Sequence, residues 1–306
     1  MVNELTNPDL EIKINDWVIP NPILVSPGTI GFTNSLIKRA LRSGVGGVFT
    51  DPISQSKNEE IGNPTTVAIT GGFITTRQKN SLEITELKDE IINLNDDLKR
   101  VIVSIDSEQK LNQIKRIISS FENLPIGGFN IIFNREKQDK EKQEENIEKK
   151  RSLFKELRNI TKKTIIVSFQ YDEREIKKIG KICEETGINA IVINITPDGM
   201  LIDIENRIPI LSSKNGKIIG NSVKPIGVNT IYFLYKEVNI PLIVCGGIMT
   251  GEDAIEYILA GATGVQIDAG LSNGFSIFVE IQNSIFRYLK NHNLNSVTEI
   301  IGGVHG

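Results

Sequence analysis

VCGGIMTGEDAIEYILAGATGVQID, residues 244–268, reads as a buried strand, a Gly-Gly turn, a helix opening near Thr250–Asp253 and a second strand. A glycine turn that feeds a helix N-terminus presents unpaired backbone N–H groups and the positive end of the helix, which suits an anion such as phosphate. Gly246 and Gly247 are therefore candidates for a cofactor-phosphate cradle, or they simply turn a strand into its helix. The second strand ends in Asp268, a negative charge where a phosphate is expected. Glu252 and Asp253 read as first-turn acids favoured by the helix dipole rather than as catalysts.

The same strand–helix unit recurs outward from this segment. Short, β-branched, nearly continuous apolar runs occur at Ile23–Val25, Gly47–Thr50, Val101–Ile105, Gly128–Ile132, Thr164–Phe169, Ala190–Ile195, Pro241–Cys245 and Gly264–Ile267. Continuous rather than alternating runs are those of parallel strands covered on both faces. Helices are expected at Asn34–Ser43, Ser107–Asn123, Glu145–Thr161, Glu173–Thr186, Val223–Val238 and Gly251–Ala260. Eight strands alternating with helices predict an α/β fold, a (β/α)8 TIM barrel, in a single domain over residues 1–306. An open doubly wound sheet is the alternative. Two stretches interrupt the alternation: an excursion at about 52–100 and a lid hairpin at about 197–222. Insertions on the C-terminal side of a barrel usually cover the active site. The charge run Arg135–Arg151 reads as a solvated helix face or a docking surface.

Composition narrows the function classes. The 306 residues are 39% hydrophobic and 24% charged, as in ordinary globular chains. A net charge of −3 with interspersed signs offers no basic stripe for nucleic acid. Cys183 and Cys245 supply neither a disulfide framework nor an iron–sulfur ligand set, and both read as packed thiols. The two histidines, His292 and His305, argue against a histidine metal site. With no signal peptide and no apolar run near ~18 residues, the expected location is cytoplasmic and not membrane-spanning.

Several segments together resemble the dihydroorotate dehydrogenase family. They are IGNSVKPIGVNTIYFLYKEVNIPLIVCGGIMTGEDAIEYILAGATGVQ, NSVTEIIGGVHG, the lid stretch GMLIDIENRIPIL, the first strand PNPILVSPGTIGF and GNPTT at Gly62–Thr66. The resemblance implies an FMN-dependent barrel that oxidises dihydroorotate, or a related dihydropyrimidine, in pyrimidine metabolism. It implies FMN contacts at Gly28, Asn130, Asn194, Gly220, Gly246 and Gly247. It also implies a small-molecule ligand and either a homodimer or a partner subunit.

The residues that carry the family's chemistry depart from its pattern. The Thr-Lys step after strand two reads Thr50-Asp51, and the catalytic base position after strand four falls on Phe133. The flavin-side lysine of strand five falls on Ser168, and the asparagine of strand three on Ser104. The substrate asparagine after Gly72 falls on Thr75, with Asn80 nearby, and the Gly-Thr that ends strand eight reads Asp268-Ala269. Tyr171, Asp172, Arg135 and Glu136 follow strands and are candidates for a substituted catalytic set. Lys214, Lys217 and Lys224 are candidates to neutralise Asp268. Three functions stay open: a flavin-dependent oxidoreductase, a non-catalytic structural or regulatory paralogue (a pseudoenzyme), or a pocket rebuilt for a cationic or polyhydroxyl ligand.

Overall fold

A hairpin of β1 (Ile12–Ile14) and β2 (Trp17–Ile19) leads into β3 (Ile23–Val25), α1 (Asn34–Arg42) and β4 (Gly47–Phe49) in this computed structural model. Then follow β5 (Thr66–Ile69), β6 (Gly72–Thr75), α2 (Ile84–Ile91), β7 (Val101–Asp106), α3 (Leu111–Phe121), β8 (Gly128–Ile132), α4 (Gln143–Ile160), β9 (Thr164–Gln170), α5 (Ile176–Thr186) and β10 (Ala190–Asn194). The remainder comprises β11 (Asp198–Gly199), β12 (Ile202–Asp203), β13 (Ile208–Pro209), β14 (Gly216–Ile219), α6 (Lys224–Tyr235), β15 (Leu242–Cys245), α7 (Gly251–Ala260), β16 (Gly264–Ile267) and α8 (Ser276–Asn291). The structure describes residues 7–54, 62, 64–76, 82–134, 143–172 and 175–306.

Among the described residues, eight parallel strands close in the order β3-β4-β7-β8-β9-β10-β15-β16, and β16 pairs back with β3 through Gln266↔Leu24. The chain is thus a (β/α)8 barrel. Its strand residues are buried almost without exception, because the inner face packs on itself and the outer face on the helices. That double burial is the reason the apolar runs were continuous.

The two insertions are not separate pieces. Strand β14 of the lid pairs antiparallel with β6 of the excursion through Lys217↔Thr75, Ile218↔Ile74 and Ile219↔Phe73. With β5 and β11 they form one four-stranded sheet. The excursion is shorter than 52–100, since α2 already occupies the barrel-helix position between β4 and β7. Helix α3 begins at Leu111 rather than Ser107, because the Asp106 carboxylate accepts the Glu108 N–H at 3.0 Å and holds a turn there. The sequence reading passed over α8, although Ile277, Phe278, Ile281, Ile285 and Leu289 repeat at helical spacing and are all buried.

The opposite end of the barrel is plugged. Trp17 packs edge-on against Phe49, with ring centroids 5.9 Å apart, and its indole N–H donates to the Lys99 carbonyl at 3.1 Å. Gly127 leaves room for it: a β-carbon there would stand 2.4 Å from the Trp17 nitrogen. The polar end of the barrel is consequently the one beneath the four-stranded sheet.

Candidate functional site

A cavity of about 860 Å³ lies between the C-terminal strand ends and that sheet. Strand ends contribute Ser26, Asp51, Ser168, Gln170, Asn194 and Cys245, and the sheet contributes Thr66, Thr75, Lys217 and their neighbours. Paired residues of parallel strands share a face. Asn194↔Cys245 and Cys245↔Gln266 are register partners, so these three side chains point inward together. Gln266 is fully buried, and neither of its amide atoms has a hydrogen-bond partner in the structure. Buried polar groups normally find partners, so this orphaned amide marks the barrel mouth as built for polar contacts.

Most of the wall is hydroxyl and amide. The Ser168 hydroxyl donates to Asn130 Oδ1 at 2.7 Å, and Asn130 Nδ2 donates to the Ser104 hydroxyl at 3.4 Å. This row ties three strands together under the chamber, and Asn130 is buried within it rather than lining the cavity. Asn194 lines the cavity and donates to the Phe169 carbonyl at 3.3 Å. Thr196 donates to Gln170 Oε1 at 2.8 Å. Asp51, only 2% exposed, accepts the Gly28 N–H at 2.7 Å and so fixes the loop that carries Gly28. At the far side Lys217 pairs with Asp198 at 2.7 Å.

Phe133 does not face this chamber. It is 7% exposed, its ring stacks on Phe169 at 4.8 Å between centroids, and it meets Phe154 of α4 edge-on at 5.9 Å. Phe169 alternates with the inward Ser168 and therefore points to the helix layer. Phe133, the residue on which the resemblance sets the family base, packs in the barrel-to-helix core.

The glycines divide into two kinds. A β-carbon on Gly28 would meet nothing within 4 Å, so this glycine, at φ +75°, opens on the chamber. The other three are tightly packed. A β-carbon on Gly246 would lie 2.6 Å from the Ile195 carbonyl oxygen, and one on Gly247 would lie 2.7 Å from Lys224 Cα. One on Gly220 would lie 2.6 Å from Gly72 Cα. Tyr257 fastens the Gly-Gly turn by donating its hydroxyl to the Gly246 carbonyl at 2.9 Å, and burial pushes its phenol pKa well above the ordinary value.

The helix start beyond that turn already has its anion. Asp253 Oδ2 accepts the Met249 and Thr250 N–H groups at 3.0 and 2.9 Å, while the Thr250 hydroxyl accepts the Asp253 N–H at 3.3 Å. Lys224 pairs with Asp253 at 2.9 Å and with Glu256 at 2.7 Å, and these hydrogen bonds raise its pKa. Lys224 and Lys217 are thus committed to carboxylates other than Asp268. Asp268 directly follows β16, the strand that pairs with β15 below the Gly-Gly turn. Asp268 is 8% exposed.

FMN, the group the resemblance implies, fits one end of this site only. Gly28, Asn194 and the hydroxyl wall would take a flat, polar ring. The phosphate end would set a dianion at a turn whose lysine and helix start are already matched by carboxylates. The residues present do not fit a phosphate there.

Apart from Thr75, the hydroxyl cluster of the sheet, together with Gln170 and Thr196, went unnoticed in the sequence. Gln170 was legible as the inward position two beyond Ser168; the other threonines become site residues only through the β6–β14 pairing. Tyr171 packs on the core instead of lining the chamber. Asn80, Arg135 and Glu136 lie outside the described residues. No helix among the described residues is long and apolar enough to cross a membrane.

Comparison with known proteins agrees with this architecture. The family profile described as dihydroorotate dehydrogenase matches residues 9–289. A relative from Methanocaldococcus jannaschii, the dihydroorotate dehydrogenase B (NAD(+)) catalytic subunit, is 31% identical over 292 residues, covering 93% of this chain and 94% of that protein. The protein of the same name from Bacteroides thetaiotaomicron is 28% identical, covering 97% and 99%. The crystal structure of the Eimeria tenella dihydroorotate dehydrogenase with ferulenol superposes with a TM-score of 0.78 at 16% identity, over 99% of this chain and 90% of that one, a likeness of fold. On sequence along nearly its whole length, the chain belongs to the dihydroorotate dehydrogenase family.

Proposed function

We propose that this chain is a ligand-binding member of its family that does not by itself oxidise dihydroorotate, and that it serves as a regulatory or structural subunit. The observation that carries this reading is the Phe133 ring, stacked on Phe169 and turned out of the chamber. A phenyl ring accepts no proton, and general-base catalysis contributes about 10²–10⁴-fold. The replacement of two cationic positions by Asp51 and Ser168 supports the same reading, since charge developing on a substrate needs preorganised opposite charge nearby. The chamber then suits a small, hydroxyl-bearing, neutral or cationic molecule.

A second reading, FMN-dependent oxidation of dihydroorotate or a related dihydropyrimidine, is favoured by the open space over Gly28 and the 860 Å³ volume. In both readings the chain is one domain over residues 1–306, works in the cytoplasm, and joins a second copy or a partner subunit. The name of the Methanocaldococcus jannaschii relative, a catalytic subunit, supports the last point. No nucleic-acid or membrane role is proposed.

The test is orotate formation by the purified full chain with added FMN and an artificial electron acceptor. The expected result is no dihydroorotate-dependent turnover. Orotate formation at an ordinary enzyme rate, about 10 per second, would overturn the proposal. A rise of about 10²-fold or more in Phe133→Cys would identify the missing base as the lesion.

A further inference from the structure

Four residues in register cross the sheet that roofs the chamber. Thr66↔Thr75, Thr75↔Lys217 and Lys217↔Asp198 are successive partners on β5, β6, β14 and β11. Register partners share a face, and all four line the chamber, so they form one row directed at its contents. We propose, on the reading of the chamber as a binding pocket, that this row recognises an uncharged polyol such as a mono- or disaccharide.

The direction of the wall's hydrogens sets that class. A hydroxyl has one hydrogen to give and two lone pairs to offer. Thr75 gives its hydrogen to the Thr65 carbonyl at 3.4 Å, so in its 2.8 Å pair with Thr66 it accepts. Ser213 gives its hydrogen to the Asn215 carbonyl at 2.6 Å, so it accepts from Thr76 at 2.6 Å. Both chains run their hydrogens into the protein and leave lone pairs for a ligand. Donors stand beside them. Lys217 spends one N–H on Asp198 at 2.7 Å and keeps two, and Gln170, whose Oε1 accepts from Thr196, keeps its Nε2 hydrogens.

Lone pairs and hydrogens side by side match a group that both gives and accepts, which is an alcohol. A carboxylate or phosphate brings no hydrogen to the threonine lone pairs, and an ammonium accepts nothing from Lys217. The row itself carries no net charge, because Lys217 and Asp198 cancel, so it rewards neither sign. A chamber of about 860 Å³ has room for one or two sugar rings.

The probes are glucose, galactose, ribose and sorbitol, titrated against the full chain by saturation-transfer NMR, with glucuronate and glucosamine as charged analogues. At least one neutral probe should saturate below roughly 50 mM and bind more tightly than either charged analogue. Thr75→Val, which keeps the shape and removes the hydroxyl, should weaken that probe by about fivefold, and Lys217→Met by about tenfold. Thr75→Val carries the test if Lys217→Met melts early by circular dichroism. Thr230→Val, on α6 and outside the chamber, should change nothing. No saturation by any neutral probe, tighter binding of a charged analogue, indifference to both row variants, or an equal loss in Thr230→Val would each overturn the proposal. Orotate formation in the assay above would instead overturn the reading of the chamber. A chain that forms no orotate and ignores every polyol overturns the proposal alone.

Discussion

Replacing Asp268 with asparagine keeps the side-chain shape and removes one charge, so it isolates the electrostatics of the Gly-Gly turn. Strands β15 and β16 are neighbours, and neighbouring strands stand about 4.8 Å apart, so the working separation between a phosphate at the turn after β15 and the carboxylate that follows β16 is roughly 5 Å. At an effective dielectric near 20, two unit charges at that distance repel by about 3 kcal/mol. Every 1.4 kcal/mol is tenfold in affinity, so the penalty is on the order of 100-fold for a singly charged phosphate. Physiological salt, with a Debye length of about 8 Å, trims this for exposed groups but much less for a residue as buried as Asp268. Riboflavin lacks the phosphate and supplies the internal control. The native chain should bind riboflavin at least as tightly as FMN in a flavin-fluorescence quenching titration. Asp268→Asn should tighten FMN by about 10–100-fold and move riboflavin by less than about twofold. Native FMN binding tenfold tighter than riboflavin, or an unchanged ratio in the variant, refutes the reasoning.

Three further variants probe the glycines of the barrel mouth and the tyrosine that fastens the Gly-Gly turn. Gly247→Ala would drive a β-carbon to 2.7 Å from Lys224 Cα at φ +81°, so it should lower the melting temperature clearly, with a cost of more than about 1 kcal/mol. Gly28→Ala has open space and only the φ +75° penalty, about 1–2 kcal/mol; its main effect should be weaker ligand binding, read by the same titration. Tyr257→Phe removes the hydrogen bond to the Gly246 carbonyl and should cost about 1–2 kcal/mol at neutral pH. The folded tyrosine holds its proton above the ordinary value of 10.0, so its stabilisation is complete below pH 10 and is lost as pH rises further. The difference in melting temperature between native chain and Tyr257→Phe should therefore shrink between pH 9 and pH 11; a constant difference would contradict the assignment.

The barrel was legible because its strands obey a local rule. Burial on both faces writes a continuous apolar run, and the runs Ile23–Val25, Gly128–Ile132 and Gly264–Ile267 coincide with β3, β8 and β16. Asp51, Phe133, Ser168 and Asp268 stood out in the sequence as residue types, and the first and third line the chamber. What could not be read was direction. Nothing local says that the Phe133 ring turns to Phe169 and Phe154, because that depends on an aromatic pocket assembled from β9 and α4. Nor does a single strand reveal that β6 and β14, more than a hundred residues apart, pair with one another. The commitment of Lys224 to Asp253 and Glu256 was likewise hidden, since it joins the starts of two successive helices.

The β6–β14 ladder sets how the chamber exchanges its contents. Two independent flaps could each flutter and let a molecule slip past, but strands that share backbone hydrogen bonds must swing as one slab or break those bonds first. A molecule that enters or leaves by displacing this sheet passes through the same cooperative opening in both directions. Stiffening the ladder should slow arrival and departure alike while leaving equilibrium occupancy unchanged, which makes the ladder a timer for residence and not a determinant of affinity.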